Sequence, residues 1–311
     1  MKKYVKTAGM RTFALKKRSK MSSSEAVKGY LFALPWFIGF FVFTLYPVMA
    51  AIYYSFCSYD IVSPPQWINI ANYKTLINED PLFWKSLFNT VFYTFFSVPL
   101  GILIALILAV LLNYKLRGMS WFRTIFYLPT IVPVVASCIL WLWILNPQFG
   151  LLNVFLAKLG IAGPGWLADE NWSKPSLILM STWAVGGSMI IFLAGLQGIP
   201  RRLYEAAELD GANWWRKLIS VTVPMLSPAI FFNMIMGIIG SFQVFTQVFI
   251  MTDGGPVDST LFYVLYLYRN AFVYFKMGYA SAMALILFII ILFFTLVIVL
   301  TSSKWVYEEV K

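Results

Sequence analysis

The placement of ionisable residues constrains this chain more than any other feature. It leaves six runs free of Asp, Glu, Lys and Arg, at 29–59, 86–114, 124–157, 175–200, 218–252 and 277–303. A helix needs roughly 20 residues to cross about 30 Å of hydrocarbon, and every run is longer. The runs are continuously apolar and do not alternate with period two, which leaves the helix as the spanning element. The sequence therefore predicts an all-α, polytopic membrane protein. Its six transmembrane helices are expected over about 30–56, 87–112, 124–145, 176–198, 226–250 and 279–302. Pro35, Pro47, Pro99, Pro129 and Pro133 lie inside the runs and predict kinks, or positions covered by neighbouring helices.

Basic residues are distributed unevenly between the runs. The tail 1–28 holds nine of them against the single acid Glu25. Segment 115–123 holds three and no acid, 201–217 four and three, and the C-terminal tail two and two. Together these alternate segments carry 18 basic and 6 acidic residues, whereas 57–85, 158–174 and 253–276 together carry 6 and 7. The positive-inside rule then places both termini and the loops 115–123 and 201–217 in the cytoplasm. The net charge of +11 over 311 residues is accordingly a topology signal, and no nucleic-acid partner is expected. Membrane lipid is the expected partner of the basic tail, through anionic head groups. The first run is too long for the 7–15-residue core of a signal peptide. The expected organisation is a basic tail at 1–28, a six-span domain at 29–303 and a cytoplasmic tail at 304–311.

Much chemistry is excluded. The chain has no histidine and two cysteines, Cys57 and Cys138, so the common nucleophilic dyads, an HExxH zinc site and a CxxC pair are ruled out. No metal site and no catalytic residue are expected. No GxxxxGK[S/T] phosphate loop occurs, and no ionisable side chain falls within an expected span, unlike most ion-coupled carriers.

The cytoplasmic loop at about 199–224 is the most informative stretch. Pro200 suits a helix start, residues 203–209 favour or tolerate a helix, and Gly211 suits a left-handed stop. Ala206 and Ala207 let another surface approach the backbone, while Glu205, Glu208 and Asp210 offer charge for pairing. Trp214 and Trp215 fit the water–lipid boundary. Composition alone is equally served by a short amphipathic helix lying on the membrane.

The spacing Glu205-Ala206-Ala207, three residues, Gly211, nine residues, Val221-Thr222-Val223-Pro224 resembles the EAA loop of ABC importer permeases. The family pattern reads EAA, three, G, nine, I-x-L-P, so Val221 and Val223 are its conservative departures. Other stretches resemble the carbohydrate-uptake branch, which includes the maltose and glycerol-phosphate systems. They are Leu34-Pro35, Tyr46-Pro47, Asn89-Thr90, Arg117-Gly118, Arg123, Leu128-Pro129, Trp141, Gly150-Leu151-Leu152-Asn153 and Thr252-Asp253-Gly254-Gly255-Pro256 with Ser259-Thr260. The last is similar to the larger of the two permeases in the maltose system, although alone it is a tight turn.

The resemblance implies an ATP-driven, binding-protein-dependent importer of sugars or oligosaccharides in the bacterial cytoplasmic membrane. It implies a second six-span permease, a nucleotide-binding ATPase dimer that holds ATP and Mg, and an extracytoplasmic solute-binding protein. This chain itself would bind no cofactor. Tyr204, Glu205, Ala206, Ala207, Asp210, Gly211 and Pro224 would form the ATPase-coupling element. An ATP-independent carrier or channel for a small polar solute is the alternative, and an intramembrane enzyme ranks last.

A pathway should show as polar or small residues on one face of a span. Asn233, Met236, Gly240, Gln243 and Gln247 recur at three- and four-residue spacing and so predict one face of the fifth span, with Ser241 and Thr246 off it. Hydrogen bonding between helices would use the same residues. By the resemblance, sugar contacts come from the fourth and fifth spans, which adds Ser181, Trp183, Ser188 and Ser241.

Overall fold

The computed structural model describes residues 23–114 and 116–307. The expectations for the basic residues of 1–22 and for 308–311 lie outside the described residues. The chain divides into two units, one up to Ala50 and one from Ala51 onward.

In the first unit the chain is helical from Ser23. Helix α1 (Ser23–Phe40) passes through a π-turn at Phe41–Leu45 into α2 (Tyr46–Ser55). Pro47 gives the wide turn a cause: its ring crowds the carbonyl of Phe43 and it has no N–H to donate. One extra residue per turn moves that carbonyl aside. The stretch Val27–Ser55, 29 residues, is long and apolar enough to cross a membrane.

The second unit takes in the end of α2 and then a short antiparallel pair, β1 (Cys57–Ser58) and β2 (Gln66–Trp67), in which Cys57 faces Trp67. Helix α3 (Ala71–Asn78) is fastened to it by Asn72, whose Nδ2 donates to the carbonyls of Ser55 (2.8 Å) and Cys57 (3.0 Å). Helix α4 (Pro81–Leu112) follows, about 48 Å long at 1.5 Å per residue. Asp80 caps it: Oδ1 accepts from the amides of Leu82 (2.9 Å) and Phe83 (3.1 Å), and proline occupies the first helical position. Oδ2 of the same carboxylate accepts from Tyr266 (2.7 Å) and from Tyr279, so the cap also clamps distant parts of the chain. Pro99 lies within α4, which continues as one helix. At the other end Arg123 donates from Nε and Nη2 to the carbonyl of Leu112 (3.2 and 2.8 Å), filling an orphan acceptor of the helix terminus.

Three of the expected spans are broken. Where one rod was expected over 124–145, α5 (Met119–Ile131) and α6 (Val134–Ile144) meet at 101°. The break falls at Val132-Pro133, since a residue preceding proline is driven into the extended region, as Val132 is at ψ 130. After α7 (Leu151–Lys158), α8 (Glu170–Trp183) and α9 (Gly186–Gly198) meet at 46°. Then come α10 (Arg201–Leu209), α11 (Trp214–Lys217), a second π-turn at Leu218–Thr222, α12 (Val223–Met225) and α13 (Ser227–Phe242). The stretch Trp214–Met225 meets α13 at 65°. The fifth span, expected to reach residue 250, stops at Phe242 and restarts as α14 (Thr246–Met251). Helix α15 (Tyr263–Tyr268) and a third π-turn at Arg269–Val273 lead to α16 (Met277–Ser302). Among the described residues, three helices qualify as spans outright, and up to six do if each bent pair counts as one.

Two apolar cores organise this unit. Phe83, Tyr93, Leu177, Phe242, Val248, Phe262 and Met283 belong to one. Ala105, Ala109, Leu112, Met189, Phe192, Leu196 and Leu226 belong to the other. Helix α4 runs through both. Close packing there needs glycine: a Cβ at Gly237 would stand 3.0 Å from Val98 Cγ1, and one at Gly186 2.7 Å from the carbonyl of Phe126.

Candidate functional site

Between the two cores lies a cavity of about 380 Å³. Ser181 and Ser188 line it from the fourth span, Asn233, Gly240 and Ser241 from α13, and Gln247 from α14. Six of the eight pathway residues read from the sequence thus meet in one place. Trp183 lines a second hollow of about 150 Å³, which shares Tyr93, Ser181, Ala184, Val244 and Gln247 with the first. Its ring meets the edge of Trp141 at 6.2 Å between centroids. Gln243 is the exception. It is exposed and lines neither hollow.

The reason is the break after Phe242. Helical spacing stops counting turns there, so the single face expected to contain Gln243 and Gln247 does not exist. Ser241, which that spacing placed off the face, joins Gly240 at the cavity wall.

The sequence reading missed the contribution of α4. Tyr93, Ser97 and Gly101 line the larger cavity. The signal was present, because Asn89, Tyr93, Ser97 and Gly101 recur every four residues and so share a face. The Ser97 hydroxyl is buried with no hydrogen-bond partner among the described residues, an arrangement that natural interiors rarely leave without a use.

Chemically the wall is uncharged and rich in acceptors. Ser181 donates to the carbonyl of Ile178 (2.6 Å), Ser241 to that of Ile238 (3.1 Å), and Asn233 Nδ2 to that of Ala229 (2.8 Å). Ser181 and Ser241 spend their protons on their own helices and keep lone pairs to accept, while Ser97, Ser188, Gln247 and the second N–H of Asn233 can donate as well. Three span breaks converge on the smaller hollow, which Val132, Ala184 and Val244 all line. Irregular backbone at membrane depth is tolerable where it lines a cavity.

At the far end of the second core, the expected loop helix is α10, and it has two faces. Leu203, Tyr204 and Ala207 turn inward, the first two against the second core, whereas Glu205, Ala206, Glu208 and Asp210 are exposed. Leu209 is 90% exposed at its tip. Pro200 sits one position before the helix and serves as its cap residue. Gly211 adopts φ +75, its amide donates to Glu208 O (3.0 Å), and that of Ala212 to Ala207 O (2.9 Å). These are the two bonds of a left-handed helix stop. Pro224 lies in α12, just beyond the second π-turn.

A bundle of broken apolar helices around an uncharged hollow, with a bare amphipathic helix at one end, is the build of a membrane permease. The chain belongs to the family of binding-protein-dependent transport system inner membrane components, which it matches over residues 83–306. It is similar to a probable ABC transporter permease of Bacillus subtilis, YesP, at 42% identity over 95% of this chain and 96% of that protein. It is similar also to the lactose transport system permease LacF of Rhizobium radiobacter, at 36% identity over 88% and 93%. A chain in the crystal structure of a bacterial alginate ABC transporter, complexed with an alginate pentasaccharide-bound periplasmic protein, shares the fold. Its TM-score is 0.81 at 23% identity, covering 92% of this chain and 98% of that one.

Proposed function

We propose that this chain is one of two unlike six-span permeases in a bacterial importer of oligosaccharides, with both termini cytoplasmic, and that it lines half of the pathway. The observation that carries the reading is the uncharged, acceptor-rich cavity between the two cores. A polyol presents many hydroxyl donors and no charge, so such a wall complements it, and the apolar parts of Tyr93 and Trp183 suit the faces of sugar rings. Charged or ion-coupled cargo would leave its charge unpaired there. The sugar cargo named for the lactose relative fits the same chemistry.

In this reading the exposed face of α10 docks on a partner ATPase, which holds ATP and Mg, while this chain binds no cofactor. Leu209 supplies the apolar contact, Ala206 the close approach, and Glu205 and Asp210 the charge, while Ala207, expected in the docking element, lies on the inward face. Gly211 and Pro224 fix where the docking helix stops and the next span starts. A solute-binding protein delivers cargo from outside, and closure of the ATPase dimer shifts the balance between inward- and outward-open states. The converging breaks at Val132, Ala184 and Val244 are the joints such a shift would use. Ser181, Trp183, Ser188, Asn233, Gly240, Ser241 and Gln247, together with Tyr93 and Ser97, are the contacts proposed for cargo.

The test is the assembled complex with its binding protein, scored for stimulation of ATP hydrolysis by a panel of neutral oligosaccharides, acidic oligosaccharides and amino acids. Stimulation confined to neutral oligosaccharides is expected. Stimulation by amino acids alone would overturn the cargo assignment.

A further inference from the structure

We infer that the Tyr204–Thr222 hydrogen bond is the joint that makes the fifth span follow the loop helix, with both residues acting as positioning residues. The inference rests on the proposed docking of α10 to an ATPase. Tyr204 lies on the inward face of α10, and its hydroxyl stands 3.0 Å from Thr222 Oγ1. Thr222 in turn reaches the carbonyl of Lys217 at 3.3 Å. A threonine has one hydroxyl proton. Since the carbonyl can only accept, Thr222 donates to Lys217 O and Tyr204 donates to Thr222. The direction of this chain of bonds is thereby fixed.

Its location gives it mechanical meaning. Thr222 closes the π-turn Leu218–Thr222 and is 5% exposed. That turn has the same cause as the one before Pro47: Pro224, two residues on, crowds the carbonyl of Ser220 and gives it no donor. A π-turn carries an extra residue and is a weak point in a helix. The 65° bend follows at once, at Leu226. Left alone, this weak turn would flex and absorb a push on α10 before it reached α13. The Tyr204 bond spans it from outside.

One turn further along α10, Glu208 meets Lys217 at 2.7 Å, so residues 204 and 208, one turn apart, reach both ends of the segment 217–222. The Glu208 pair is exposed and contributes little. The partly buried Tyr204–Thr222 bond is the one that couples.

The test uses the whole importer in proteoliposomes and reads solute moved per ATP hydrolysed. Tyr204→Phe keeps the ring in its packing and removes only the donor; Thr222→Val removes the acceptor, and Thr222→Ser restores it. Tyr204→Phe and Thr222→Val should each lower the ratio about five-fold, as expected for one net hydrogen bond biasing two states. The double variant should be no worse than either, and Thr222→Ser should keep the wild-type ratio. A purely structural role would reduce hydrolysis and transport together, leave the ratio unchanged and overturn the inference. A wild-type complex whose transport does not depend on ATP would instead overturn the docking reading beneath it.

Discussion

Gly240 offers the sharpest separation of cavity from core. A Cβ built there meets no heavy atom within 4 Å, whereas one at Gly237, a single turn earlier, meets Val98 Cγ1 at 3.0 Å. Gly240 therefore faces the hollow, and its substitution carries no steric penalty in the fold. Gly240→Ala should even favour α13 by up to about 1 kcal/mol, the helix-propensity difference between the two residues. Gly240→Phe is the informative change. A benzene-sized ring needs about 150 Å³, roughly two fifths of the hollow of about 380 Å³. What remains falls below the roughly 300 Å³ at which small-molecule pockets begin. Transport measured as uptake of labelled sugar into proteoliposomes should fall to less than a tenth, while the melting temperature of the purified complex stays within about 2 °C, since no buried contact is lost. Gly240→Ala should transport normally. A Gly240→Phe complex that folds and transports at the wild-type rate would refute the placement of the pathway.

Further expectations follow from the same geometry. Gly186→Ala puts a methyl 2.6 Å from Thr130 Oγ1 and 2.7 Å from the carbonyl of Phe126; overpacking of this kind costs about 1–3 kcal/mol, read as a lower melting temperature in detergent. Gly211→Ala forces a side chain into φ +75, a strain of about 1–2 kcal/mol, and should reduce the ATPase that co-purifies, with Gly211→Asn intermediate. Asn89 donates to the carbonyls of Asp258 (2.9 Å) and Leu261 (3.1 Å) and accepts from Lys174 (3.1 Å). Asn89→Ala should cost about 2 kcal/mol in abandoned polar groups and speed proteolysis between 252 and 262 more than ten-fold. Val62 and Leu209 are each 90% exposed, while native Cys57 and Cys138 are buried. A membrane-impermeant thiol reagent should label Val62→Cys from outside whole cells and Leu209→Cys only after the membrane is opened.

Legibility in the sequence followed the strength of the underlying force. The cost of burying charge in hydrocarbon is large, so the charge-free runs show where the chain is apolar enough to span. Local backbone chemistry was nearly as clear: the stop at Gly211 and the helix over 201–209 stand as the residue types demand. The breaks were harder. Proline marks the one at Val132-Pro133, and Gly186-Gly187 follows the one at Ala184-Val185, but nothing in Gln243-Val244-Phe245 announces that a helix ends. That break is a tertiary outcome, and it misplaced Gln243. Tyr93 and Ser97 were missed for another reason. A periodic polar stripe in α4 is legible, but the family resemblance points only to the fourth and fifth spans.

The hollow between the two cores has a consequence for how such proteins diversify. Its serine, asparagine and glutamine lining residues belong to neither core, so exchanging one hydroxyl or amide for another there changes what fits without changing what folds. Under the proposed pathway, cargo preference can drift through single substitutions at positions such as 181, 188, 233 and 247 while the ends of α4 stay as they are. A scaffold arranged in this way is open to re-lining, and its history should be written in the middle layer before anywhere else.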